Sequence, residues 1–231
     1  MRSYGQYCAL AKALDVVGDR WTLLIVRELL LRGACRYTDL RNGLPGIATN
    51  LLADRLRALE AAGLLEREEA PPPVASTLFR LTARGERLRP VLDEIVRWGI
   101  PYMVAGPDAG DEFRSQWLAW PAELFLTDSE PDGPPIAIEL RAGEGPMVIE
   151  TSGGAVHARA GRPERAPDAV LSGAPPVILG VLSGELDMSA ARDLGLSFEG
   201  DERALARVRP AMSHELLAAD AAPTAAPARA R

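Results

Sequence analysis

Apolar and polar positions alternate with a helical period through most of the first hundred residues. In CALAKALDVVGDRWTLLIVRELLLRG, Trp21, Leu24, Ile25 and Leu29 recur at helical spacing, which predicts two helical segments hinged near Gly18 and ended by Gly33. YTDLRNGLPG predicts a short helix with Thr38 as its N-cap, stopped by Pro45 and Gly46. GIATNLLADRLRALEAAG predicts a third helix running to Gly63. LLERE and TLFRLT alternate as two strands around the proline-bearing tip APPPVAS. A long helix is predicted from Ala83 to near Met103, with Leu88, Leu92, Ile95 and Trp98 along one side.

A break at VAGPDAGD separates a second pattern. DEFRSQWLAWPAELFL predicts an aromatic-rich helix stopped or kinked at Pro121. IAIELRAG and PMVIETSGGAVHARAG predict strands with glycine turns, APDAVLSGAPPVILGVLSGEL and SAARDLG are partly helical, and LSFEGD closes as a strand. The terminal LLAADAAPTAAPARAR is low in complexity and predicts disorder. These patterns divide the chain into residues 1–106, mainly α with a small β wing, residues 107–215, an α+β domain, and a tail over 216–231.

The third helix carries the most informative chemistry. At about 100° per residue, Leu52, Leu56 and Leu59 form a narrow apolar stripe, while Asn50, Asp54 and Arg57 group on the other side with small Ala53 beside them. Alone, that polar face reads as a solvated surface. A short helix, a Pro-Gly turn, a second amphipathic helix and a hairpin is, however, the order of a winged helix-turn-helix, whose second helix enters the major groove of DNA. Asn50 then suits adenine, Arg57 guanine or phosphate, and Thr49 phosphate or a thymine methyl. Asp54 opposes phosphate unless it orients Arg57 or Arg55 or accepts from cytosine, and these alternatives stay open. Arg67 and Arg80 on the hairpin arms, with Arg84 after them, predict a basic edge along the DNA backbone, and Arg36 before the short helix adds a fourth arginine.

Charge supports this division of labour. Residues 1–106 hold 15 Lys and Arg against 12 Asp and Glu, and residues 107–231 hold 11 against 20, so only the first half suits a polyanion. Two cysteines are too few for a disulfide framework and are expected as thiols. The chain has no long apolar run and no export signal at its amino terminus, which predicts a cytoplasmic protein. His157 and His214 are the two histidines, and neither HExxH, CxxC, a phosphate loop nor a serine elbow occurs, so no enzyme, no metal and no cofactor is expected. His157, on an apparent strand, reads as structural.

The early Cys8, the GDRWTLLI core, the LPGI turn and the LxxRLxxLExxGL helix together resemble the HxlR-type winged helix regulators, a branch of the MarR-like group, over about residues 7–103. The resemblance implies a homodimer on a palindromic operator, joined through the first helix and the long helix after the wing. Three departures stand out: Ala9 follows Cys8 where proline is frequent, Ala75 and Ser76 replace a basic wing tip, and Ala48 replaces a hydroxyl cap, leaving Thr49 to cap the helix.

Two sensors compete. The resemblance makes Cys8 a candidate thiol sensor, with Lys12 one turn on as a source of positive field, against the reading of an ordinary buried cysteine near a dimer contact. The stretch PDAVLSGAPPVILGVLSGELDMSAARDLGLSFEGD resembles the sterol-carrier-protein-type lipid-binding fold over about residues 110–212, which implies an apolar effector. Trp117, Trp120 and Phe125 are the candidates for its wall. A DNA-binding regulator, by default a repressor, is therefore expected, with a lipid carrier that uses the winged helix as a protein contact as the alternative.

Overall fold

The computed structural model describes residues 3–71, 76–104, 107–108 and 110–211. The hairpin tip 72–75, His214 and the tail expected to be disordered lie outside the described residues. The chain forms two compact units, Met1–Glu94 and Ile95–Arg231.

The first unit begins with α1 (Ala9–Val17) and α2 (Thr22–Arg32), joined through Gly18 as the pattern predicts. Trp21 takes a left-handed φ of 78° at the start of α2, a conformation that costs a bulky residue about 1–3 kcal/mol. Next come β1 (Cys35–Arg36), α3 (Tyr37–Asn42), α4 (Thr49–Ala61), β2 (Leu65–Ala70) and β3 (Ser76–Leu81), in a three-stranded antiparallel sheet of order β1-β3-β2. Ile25, Leu40, Leu44, Leu52, Leu56 and Leu59 close the core, so the leucine stripe of α4 faces inward as expected.

One buried charge organises this core. Glu28 on α2 is wholly buried and accepts from Arg27 Nη2 at 2.8 Å and from Arg32 Nε at 3.1 Å. Gly43, at the end of α3, leaves the space its carboxylate occupies, because a Cβ there would collide with Glu28 Oε2. An ion buried in apolar surroundings is tolerated only when paired in this way. The arrangement ties the backbone after α3 to α2, since Arg27 Nη2 also approaches the Gly43 carbonyl at 3.4 Å.

The long helix expected from Ala83 to Met103 is three pieces: α5 (Ala83–Glu86), α6 (Arg89–Gly99) and α7 (Pro101–Val104). Proline lacks the N–H that a continuous helix needs and clashes with the preceding turn, and Pro90 and Pro101 each stand in the first turn of a new segment. Along the side on which these apolar residues recur, Leu92 is buried and Ile95 and Trp98 are exposed, Trp98 at 72%.

In the second unit a 3-10 turn over Ser115–Leu118 leads into α8 (Ala119–Phe125). Pro121 neither stops nor kinks this helix. It lies in the first turn, where its missing N–H has no intrahelical partner to lose. Then follow β4 (Leu126–Asp128), β5 (Ala137–Arg141), β6 (Met147–Ser152), β7 (Ala155–Ala160), β8 (Ala169–Ser172), α9 (Pro175–Ser183), α10 (Met188–Asp193), β9 (Ser197–Gly200), α11 (Glu202–Arg207) and β10 (Val208–Pro210). The mixed sheet has order β7-β6-β5-β8-β9, with β5 and β8 parallel, and β4 pairs with β10, giving an α+β unit. α11 and β10 extend the fold past the LSFEGD strand at which the sequence pattern stops. Gly153 and Gly154, at φ 57° and 82°, make the two-residue turn of the β6–β7 hairpin that the sequence predicts.

Register places Ile138 against Ile149 and Leu140 against Met147 and Leu171, all on one fully buried face of the sheet. A buried ion pair fastens α11 to β4: Arg207 on α11 donates to both carboxylate oxygens of Asp128, at 3.1 and 2.7 Å, and to the carbonyls of Pro134 and Glu130. His157 is exposed on β7, so its expected structural role is not met.

Candidate nucleic-acid interface

Helix α4 is held at both ends by the rest of its unit. At its start the Tyr37 hydroxyl, on α3, donates to the Thr49 carbonyl at 2.8 Å. At its end Arg84 donates to the Ala62 carbonyl at 3.0 Å and the Thr82 hydroxyl to the Gly63 carbonyl at 2.7 Å. The bonds from Arg84 and Thr82 serve carbonyls at the helix C-terminus, so Arg84 caps α4. The Trp21 ring reaches to the Gly46 turn between α3 and α4.

Asn50, Asp54 and Arg57 stand exposed together, with half-buried Ala53 beside them, while the leucines fill the opposite side. The Arg57 guanidinium is paired with the Asp54 carboxylate, and its Nε lies 3.4 Å from the Ala53 carbonyl. Arg55 belongs elsewhere: it reaches Asp19 in the α1–α2 connection at 2.7 Å, so it stands apart from the polar face. Thr49 is expected from the sequence to cap the helix, but Ala48 occupies the cap with no side-chain bond and Thr49 is the first helical residue, exposed. Thr38 is likewise not a cap. Arg36 precedes the first turn of α3, and Asp39 accepts from its N–H at 3.0 Å, an acidic cap that pattern reading overlooked.

The hairpin differs from the expected basic edge. Arg67 pairs with Phe79 and Arg80 with Glu66 across the β2–β3 ladder, and alternation sends these two rows to opposite faces. Arg80 is bound to Glu66 at 2.7 Å and lies 3.8 Å from Glu68, so its charge is neutralised within the wing. Arg67 meets Glu60 at 2.7 Å and stacks over the Phe79 ring, 5.6 Å from its centroid. On that face a concavity of about 340 Å³ is lined by Arg36, Tyr37, Thr38, Arg67, Ser76, Thr77 and Phe79. The fold thus brings Arg36, Thr38 and Arg67 together and leaves Arg80 and Arg84 out.

Cys8 stands exposed at the N-cap of α1, not buried. The backbone N–H groups of Ala11 and Leu10 draw its thiol below the ordinary cysteine value. Lys12, the source expected from sequence, lies 3.9 Å from Asp15 instead. Buried Cys35 is pushed the other way, to about 11, chiefly by desolvation. Among the aromatic candidates of the second unit, Trp120 is buried and Trp117 and Phe125 half-buried. Among the described residues no group of three His, Cys, Asp or Glu side chains could hold a metal ion, and no helix is long and apolar enough to cross a membrane.

Short helix, turn, α4 and antiparallel wing define the first unit as a winged helix-turn-helix. The chain belongs to the HxlR-like helix-turn-helix family, whose model matches residues 16–106. It is 34% identical to the HTH-type transcriptional regulator YvaP of Bacillus subtilis, over 40% of this chain and 84% of that one. The reduced form of the transcriptional regulator YodB of Bacillus subtilis is 28% identical, covering 46% of this chain and 100% of the other with a TM-score of 0.37. The redox regulator HypR in its oxidized form is 30% identical over 40% of this chain and 94% of that one, with a TM-score of 0.36.

Proposed function

We propose that the protein is a sequence-specific DNA-binding transcriptional regulator that acts as a homodimer on a palindromic operator. The observation that carries this reading is the exposed Asn50, Asp54 and Arg57 face of α4, fixed at both ends in a winged helix-turn-helix. Base contacts come from that face, and backbone contacts from Arg36, Thr38 and Arg67 around their shared concavity. A second copy is the partner for the apolar residues left in solvent on α1 and α6: Leu10 and Leu14 on one, Val91, Ile95 and Trp98 on the other. Repression is the mode assigned, because a dimer lying over a promoter blocks polymerase without further contacts.

The test is immunoprecipitation of the full chain on its own genome, followed by titration of an enriched fragment. The expected sites are inverted half-sites about 10 base pairs apart, bound with an affinity that falls steeply with salt. Enrichment of no site, or binding indifferent to salt, would overturn the reading.

Two routes lead the signal in. One is an apolar effector on the α+β unit, supported by the half-buried Trp117 and Phe125 beside buried Trp120 and by the sterol-carrier resemblance. The other is the thiol of Cys8, supported by its exposure and by the two backbone N–H groups that favour its thiolate. Cys8→Ser is expected to abolish any response of DNA binding to diamide or hypochlorite while leaving basal binding unchanged. A Cys8→Ser variant that still responds to diamide takes Cys8 out of the route and leaves Cys35, the other thiol, as the group that answers.

A further inference from the structure

Exposed ion pairs one helical turn apart add little to stability, so the Asp54–Arg57 pair on α4 needs another reason. Both side chains are largely in solvent, at 58% and 66% exposure. A free arginine on a helix facing DNA takes whichever phosphate is near, a contact blind to sequence. Here the guanidinium is turned back along the helix, with Nε toward the Ala53 carbonyl and one terminal nitrogen on the Asp54 carboxylate. The small Ala53 side chain beside it leaves room for close approach to a base edge. Arg55, the other candidate partner for Asp54, is already committed to Asp19.

A G·C pair presents guanine O6 and N7 as acceptors and the cytosine N4 amino group as a donor in the major groove. A guanidinium and a carboxylate side by side offer the complementary donors and acceptor. The carboxylate meanwhile repels the phosphates that an unpaired Arg57 would grip. Resting on the reading of α4 as the recognition helix, we infer that Asp54 is a specificity-determining residue, which clamps Arg57 as one half of a reader of a G·C pair and keeps it off the backbone.

Selection of the full chain against a randomised duplex library tests this, followed by titration of the enriched duplex and a scrambled duplex of the same length. Wild type is expected to enrich one G·C pair in each half-site. Asp54→Ala is expected to bind the scrambled duplex more tightly and with a steeper salt dependence, so that the ratio of specific to non-specific affinity falls about tenfold at that position. Arg57→Lys keeps the charge but not the fork, and is expected to lose the same base preference. Asp54→Asn keeps an acceptor for Arg57 and is expected to retain part of the preference while gaining the steeper salt dependence. Because both side chains are exposed, the melting temperature of each variant is expected to match wild type. An Asp54→Ala protein with an unchanged enriched base pair and an unchanged affinity ratio overturns the inference and leaves the DNA-binding function standing. A wild-type chain that enriches no base pair at all overturns both.

Discussion

The double substitution Asn50→Ala, Arg57→Ala is expected to lower affinity for the selected operator on the order of a thousandfold, while the protein melts as before. Each good bidentate contact to a base edge discriminates by about 1–3 kcal/mol, and a dimer repeats both contacts in its two half-sites. The gap between specific and non-specific binding is about 4–10 kcal/mol, so these losses bring the protein close to its non-specific level rather than to zero. Both side chains are exposed and away from the leucine stripe, and α4 is held by Tyr37, Thr82 and Arg84 instead, so folding is untouched. Fluorescence anisotropy against labelled operator at fixed salt, beside a thermal melt, checks both halves of the statement. Unchanged operator affinity would show that another surface reads the DNA.

Arg207→Ala is expected to destabilise the second unit by about 3–5 kcal/mol, because it removes one partner of a buried ion pair and leaves the other. Asp128 and Arg207 are each 6% exposed, and the guanidinium also serves the carbonyls of Glu130 and Pro134. Without it the Asp128 carboxylate lies buried without its counter-ion, and two carbonyls lose a donor. A bidentate bond to Arg207 holds the Asp128 carboxyl below the usual aspartate range. Since the folded value is depressed, this stabilisation is fully present above the ordinary value of about 3.9 and is lost as pH falls through the lower folded value. Wild type and Arg207→Ala should therefore differ most at neutral pH and converge under acid. Urea unfolding followed by tryptophan fluorescence at both pH values reads this, and Asp128→Leu combined with Arg207→Met is expected to recover much of the loss.

Much of the first unit was legible because its signals are local. The leucines at 52, 56 and 59 set the inward face of α4 and thereby turned Asn50, Asp54 and Arg57 outward. A paired glycine between alternating runs placed the β6–β7 turn, since both positions need a positive φ. Other signals were present but outweighed: Pro90 and Pro101 mark the breaks in the helix after the wing, yet the apolar spacing across them reads as continuous. Asp39, three residues past Arg36, was a readable cap that the hydroxyl of Thr38 obscured.

By itself, then, the amino-acid order determined which segments are helix or strand and which face of the reading helix is dry, because backbone propensity and side-chain periodicity act over neighbouring residues. Only the tertiary structure decided where each charge ends up. Arg80 is neutralised by Glu66 across a ladder, Arg84 caps a helix of another segment, Arg55 turns to Asp19, and Arg207 finds Asp128 far back along the chain. Ion pairs form between groups that folding brings within a few ångströms, and that distance is set by strand register and packing, neither of which a local pattern contains.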